Sequence, residues 1–224
     1  MDIGVTSWNL DNDKYYNATR NCLSSICYDC NNIVVIMHDT SDAVKEKMRK
    51  EFPAIEMINN PSWGNSLPCA YNYLLHRFFR ASDHALLLGN DVVVLDGRFS
   101  WFDPDYYRTR GVVSAVDRDL KPEYIFASVI FFDWMFKLVG DFDIQLRASG
   151  LDHVYLARMA SLGHDIWGKL DYYGDKKFII NHAKSLTIND LRDPAVFKPG
   201  QFFYDMYKDG EEYYNREMNK YKTK

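Results

Sequence analysis

The chain has 224 residues, 47% of them hydrophobic and 16% aromatic, and a formal net charge of -4, which suits one large or two small domains with a substantial buried core. The acidic balance argues against a protein built mainly on basic attraction to nucleic acid, while leaving room for a local basic groove. No apolar run approaches the ~18 residues of a bilayer span, and the N-terminal MDIGVTSWNLDND lacks the basic start and apolar stretch of a secretory signal. The expected location is therefore the cytoplasm, with the four cysteines as thiols. Cys22, Cys27 and Cys30 lie close together, but Cys69 is distant and no His flanks them. The paired spacing of a zinc site is missing, so small buried or surface thiols are expected.

In chain order, IGVTSW reads as a short apolar strand and residues 14–26 as a helix, from their apolar spacing. NNIVVIMHD reads as a buried strand, DAVKEKMRKEF as a charged amphipathic helix and AIEMIN as a third strand. SLPCAYNYLLHRFFR predicts an apolar helix capped by Ser66, with Pro68 in its first turn. HALLLGNDVVVLDG predicts a strand with a polar break. Farther on, GVVSAVD and YIFASVIFFD read as strands, DWMFKLVG as a short helix, DFDIQLRASG as a loop and LDHVYLARMASLG as a helix. Short strands in DIWGKL and KKFIINHAK follow, and an aromatic, charged helix begins near Gln201. The early alternation predicts a parallel α/β sheet with helices on both faces. Ligands in such sheets bind beyond the carboxyl ends of the strands. Trp8, Asn9, Asp39, Thr40, Asn60, Asn90 and Asp91 are expected to converge there.

The segment LLLGNDVVVLDG places a carboxylate, Asp91, where an apolar strand breaks. There it is either a turn residue between two strands or a hard oxygen ligand for Mg2+ or Mn2+ bound to phosphates. Asp152, just before a helix, suits an N-cap. His182 follows an apolar strand and reads locally as a strand-end histidine, while Trp63 and Trp101 are stacking platforms or, by the commoner role of Trp, core. Neither a P-loop nor a nucleophile elbow is present.

LLLGNDVVVLDG resembles the segment of family 2-like glycosyltransferases of the GT-A fold in which a Leu run enters Asn-Pro-Asp-Val or Asn-Asn-Asp-Val. The resemblance puts the metal-binding acid of the "DxD" position on Asp91, with Gly89 in place of the usual first polar residue. It extends in order along nearly the whole chain: IGVTSWN, VVIMHDTSD, NNPSWGNSLPCAYNYLL and FDWMFKLVGDFDIQLRASGLDHVYLARMASLGHDIW each resemble the corresponding family stretch. It implies a GT-A-like, Rossmann-type mixed sheet flanked by helices in one catalytic domain over 1–200. Residues 1–110 would bind the nucleotide sugar, 111–200 the acceptor, and 201–224 would form a C-terminal helix.

The implied donor-binding residues are Thr6, Trp8, Asn9, Asp39, Asn60, Asn65, Asn90 and Asp91, with Asp39 at the base or ribose. Asp152 is the implied general base, Leu151 standing where the family has Glu, and Asp91 and His182 are the implied metal ligands, with Lys184 and Ser185 near phosphate. The expected activity is inverting, Mn2+- or Mg2+-dependent transfer from a nucleotide-diphosphate sugar, a UDP-sugar first, to a hydroxyl acceptor. That acceptor is a glycan, a lipid-linked sugar, a protein or a modified nucleobase. The compact size resembles stand-alone viral or phage transferases, which makes hydroxymethylated pyrimidines in DNA the alternative acceptor. Gly89 and Leu151 also keep open a catalytically silent sugar- or nucleotide-binding module. A nucleotidyltransferase would want a Gly-rich, basic first loop, which residues 3–13 do not supply.

Overall fold

The protein is described here from a computed structural model covering residues 1–26, 32–59, 64, 66–94, 99, 102–114, 127–146, 150–164, 180–182 (main chain) and 212–221. Its strands and helices are β1 (Asp2–Trp8), α1 (Asp13–Ser25), β2 (Asn32–His38), α2 (Asp42–Glu51), β3 (Glu56–Asn59), α3 (Leu67–Phe78), β4 (His84–Gly89), β5 (Val92–Val94), α4 (Pro104–Tyr107), β6 (Val112–Ser114), β7 (Ser128–Phe132), α5 (Asp133–Val139), α6 (Leu151–Ser161) and β8 (Ile180–His182). A last helix, α7, covers 212–219.

The main sheet has the order β3-β2-β1-β4-β7-β6. Its first four strands are parallel, as the strand–helix alternation predicts. Beyond the early alternation the sheet changes direction: β7 runs antiparallel to β4, and β6 antiparallel to β7. The mixed sheet flanked by helices is thus the arrangement observed. The single strand expected over HALLLGNDVVVLDG is instead two strands in two sheets: β4 ends at Gly89, and β5 pairs with β8 in a two-stranded sheet. The change of direction at Asn90 and Asp91 separates them.

Strand alternation sorts the core into two layers. Ile3, Val5, Leu86, Leu88 and Ile130 face α1 and α2. Val34, Ile36, Leu87, Val129 and Phe131 face α3, α5 and α6. Strands β1, β2 and β4 are covered on both sides, which is why they read as unbroken apolar runs. On β1, Gly4 admits α3: a Cβ there would lie 2.7 Å from Leu74 Cδ1. Ser66 caps α3 with Pro68 in the first turn, as expected. The DFDIQLRASG loop contains a short 3-10 turn at Ile144–Leu146. The expected strand in DIWGKL lies outside the described residues, and KKFIINHAK contributes β8. No helix among the described residues is long and apolar enough to cross a membrane.

Candidate active site

Strands β1 and β2 end on residues with left-handed backbone, Asn9 (φ 49°) and Asp39 (φ 48°). Asn and Asp tolerate that conformation better than other side chains. The two loops that follow continue the strand register as a ladder of mixed bonds. Asn9 N donates to His38 O at 3.0 Å, Leu10 N to Thr40 Oγ1 at 3.2 Å, and Ser41 N to Asp11 Oδ2 at 2.7 Å. The Ser41 hydroxyl also bonds to Asp11, and these contacts hold the Asp11 carboxyl below its ordinary pKa. Trp8 Nε1 donates to the exposed Asp39 across this ladder at 3.4 Å, and its ring lies 5.3 Å from that of Tyr15. Trp8, Asn9 and Asp39 thus share one braced edge at the carboxyl ends of β1 and β2.

At the carboxyl end of β4, three residues of α1 hold the Gly89–Asp91 turn. Thr19, Cys22 and Ser25 recur every third position, so they form one stripe of the helix. Asn90 Nδ2 donates to Thr19 Oγ1 at 3.0 Å, Cys22 Sγ to Gly89 O at 3.7 Å, and Val94 N to Ser25 Oγ at 2.9 Å. Asn90 is buried and committed to α1. The Asp91 carboxylate folds back over Gly89: a Cβ on Gly89 would lie 3.1 Å from Asp91 Oδ1. A side chain at position 89 would therefore require the Asp91 carboxylate to give by a few tenths of an ångström. Burial, and then the charge of Asp91, pushes the Cys22 thiol up, so it stays protonated. The strand that leaves Asp91 pairs with β8 so that Val92 stands opposite His182. The main chain of His182 is thus one residue out of register from Asp91.

A second acid reaches this edge from the other layer. Asp152 is the second residue of α6. The N-cap is Gly150, in left-handed conformation (φ 63°) and without a side-chain bond, so the capping role for Asp152 does not hold. Its Oδ1 instead accepts from His153 N at 2.9 Å, with His153 Nδ1 at 3.6 Å. The Asp152 side chain is 16% exposed, and burial raises its pKa against the opposing pull of His153.

Tyr71 of α3 feels the charge of both acids. Its phenol is buried and hydrogen-bonded to the Thr6 side chain. Burial first, then the charges of Asp152 and Asp91, drive its pKa up, so it remains a neutral hydroxyl within the field of both carboxylates. The neighbouring Asn72 fixes the approach to α6: its Nδ2 donates to Phe142 O at 2.9 Å and its Oδ1 accepts from Phe142 N at 2.7 Å.

The structure therefore bonds Thr6 to Tyr71, a phenol on which the charges of Asp152 and Asp91 both act, and sets Trp8, Asn9 and Asp39 along the edge at the ends of β1 and β2. It turns Asn90 inward. Asn60, Asn65, Trp63, Trp101, Lys184, Ser185, Cys27 and Cys30 lie outside the described residues. Cys22 and Cys69 are buried free thiols. Tyr71, Asn72 and the α1 stripe were not among the expected site residues. In sequence they merge with apolar helix faces, and only their polar atoms, spaced three apart on α1 and adjacent on α3, could have marked them.

Among the described residues no group of three His, Cys, Asp or Glu could hold a metal ion. A dedicated all-protein cage is therefore not what the described residues build. A single carboxylate beside a phosphate-bearing ligand is, however, a donor set that Mg2+ or Mn2+ accepts, because these ions are commonly held by one or two carboxylates plus substrate phosphates and water.

No protein-family model matches the chain, and no curated protein matches it. Among solved structures it is similar to S. aureus TarS at TM-score 0.49 and 13% identity, over 70% of this chain and 32% of that one. It is also similar to the mannosyltransferase PcManGT from Pyrobaculum calidifontis in complex with GDP-Man and Mn2+, at TM-score 0.43 and 13% identity, over 73% and 52% of the two chains. The galactosyltransferase LgtC in complex with donor and acceptor sugar analogs matches at TM-score 0.40 and 16% identity, over 62% of each chain. The chain spans about a third of the length of the first of these and about half of the second.

Proposed function

We propose that this chain is a glycosyltransferase that moves a sugar from a nucleotide-diphosphate donor to a hydroxyl acceptor with inversion at the anomeric carbon. The observation that supports the reading is that Asp91 and Asp152, on opposite layers of the sheet, both add to burial in raising the pKa of one phenol, Tyr71. It is the arrangement expected if one acid serves the leaving diphosphate and the other the attacking hydroxyl. The sequence resemblance assigned these two roles to the same two residues.

On this reading the edge formed by Trp8, Asn9 and Asp39 receives the nucleoside, with Asp39 accepting a hydrogen bond from base or ribose. Residues 1–110 form the donor half and 111–200 the acceptor half. Asp91 and His182 would hold a divalent cation on the donor's diphosphate, and a cation bound there offsets the charge that grows on the leaving group. Asp152 accepts the proton of the acceptor hydroxyl as that oxygen bonds to the anomeric carbon and the bond to the diphosphate breaks. A carboxylate of raised pKa is a stronger base than an ordinary one, which suits this task. The Tyr71 hydroxyl, kept neutral first by burial and then by both acids, orients Thr6 beneath the sugar. A UDP-sugar is the first candidate donor, as the commonest in the family that the sequence resembles.

Thermal unfolding with a panel of nucleotide sugars tests this reading. At a concentration about 100-fold above Kd, the correct donor with Mn2+ stabilises by ~2.7 kcal/mol. For a chain of this size that is roughly a 5–10 °C rise. A flat response to every donor, with and without Mn2+, rules the proposal out.

A further inference from the structure

The C-terminal helix α7 packs against the turn that carries Asp152. Tyr214 lies directly on Gly150: a Cβ at Gly150 would fall 2.3, 2.6 and 2.7 Å from three atoms of the Tyr214 ring. Only glycine, which also adopts the left-handed φ of 63° needed there, lets the ring come so close. The same ring stands 5.9 Å from the ring of His153. One residue earlier, Tyr213 donates to Asp143 Oδ2 at 2.6 Å, and the Arg216 guanidinium lies 4.7 Å over the Tyr213 ring. Tyr213, Tyr214 and Met218 pack on the core layer that contains α6. The helix is thus fixed at Asp143 and at Gly150, the N-cap of α6.

We propose that α7 is a wall of the catalytic site, and that Tyr214 is a positioning residue that keeps water off the Asp152 carboxylate. This rests on the reading of Asp152 as the base. His153 on α6 contacts Asp152, Tyr71 on α3 and Tyr214 on α7 feel its charge, and the Asp91 charge acts on the same Tyr71. The Tyr214 ring covers Gly150, two residues before Asp152, and stands 5.9 Å from the ring of His153, whose main-chain N donates to Asp152 Oδ1 at 2.9 Å; burial, and then the Asp152 charge, raises the Tyr214 phenol as well. His153 favours the ionised carboxylate, whereas a ring that excludes solvent disfavours it. Removing the ring therefore lets water in and makes Asp152 a weaker base.

The test is an NMR titration of the Asp152 carboxyl carbon in the full chain, assigned by its loss in Asp152→Asn, for the native protein, Tyr214→Phe and Tyr214→Ala. The expected result is an apparent pKa that falls in Tyr214→Ala and stays near native in Tyr214→Phe, which keeps the ring. An unchanged midpoint in Tyr214→Ala overturns the proposal, as does an equal fall in both variants. If Tyr214→Ala does not fold, Tyr214→Leu, which retains apolar bulk but covers less of the turn, is read by the same two outcomes. No donor enters the titration. Its failure therefore counts against the wall alone, whereas failure of donor binding counts against the transferase reading.

Discussion

At the scale of single residues, the site depends on what glycine leaves room for. Gly89 makes space for the Asp91 carboxylate, with a contact of 3.1 Å to any added Cβ. Gly89→Ala is expected to displace Asp91 by a few tenths of an ångström or more and to lower turnover on the order of tenfold, because small misplacements of reacting groups are costly. The fold should survive, since Asn90 remains anchored to Thr19; parallel kinetics and thermal melts check both points.

Asp152 carries a prediction of opposite signs for activity and stability. Its folded pKa is raised above the ordinary 3.8, chiefly by burial. The folded state therefore binds more protons than the unfolded state between 3.8 and the raised value. Stability falls as pH climbs through that window and stays reduced above it. Asp152→Asn removes the charge, so at neutral pH it should be the more stable protein by about 1 kcal/mol. The advantage should vanish below the ordinary aspartate pKa, as urea melts at stepped pH will show. Loss of the proton acceptor should cost about 100- to 10,000-fold in transfer.

At the scale of elements, polar bonds between helix and loop set the positions of both acids. Asn72 holds Phe142 through both its carboxamide atoms at 2.9 and 2.7 Å. Asn72→Ala would remove both of these buried hydrogen bonds to the Phe142 main chain, at an expected cost of about 3 kcal/mol. That is roughly a 10 °C loss in Tm for a chain of this size, and calorimetry measures it. Most helices and strands were legible in the sequence, because apolar period and cap chemistry are local: Ser66 and Pro68 mark the start of α3 as expected. The antiparallel insertion of β7 was not legible, since YIFASVIFFD is as apolar as a parallel strand and direction is set by which edge of β4 remains open. The split of HALLLGNDVVVLDG was half legible. The polar break is visible in the residues, but the transfer of Val92–Val94 to a second sheet depends on pairing with Ile180–His182, far along the chain. The short helix at Pro104–Tyr107 went unread because four residues carry no period.

At the scale of the molecule, the sheet acts as a partition with one acid delivered from each side. Asp91 comes from the turn pinned by α1, and Asp152 from the helix packed beside α3 and closed over by α7. Asp91 and Asp152 were expected at the site only through the ordered resemblance to glycosyltransferases. Tyr71, on which both charges act, was not expected there, because its ring belongs to the apolar face of α3 and only the fold shows that its hydroxyl bonds to Thr6. The central claim is that Asp91 serves the donor's diphosphate. Release of nucleoside diphosphate from a UDP-sugar, with Mn2+ and with chelator, tests it most directly in the native chain and in Asp91→Ala. The account predicts Mn2+-dependent release by the native chain that is lost in the variant while its melting profile stays native; undiminished release by Asp91→Ala would contradict it.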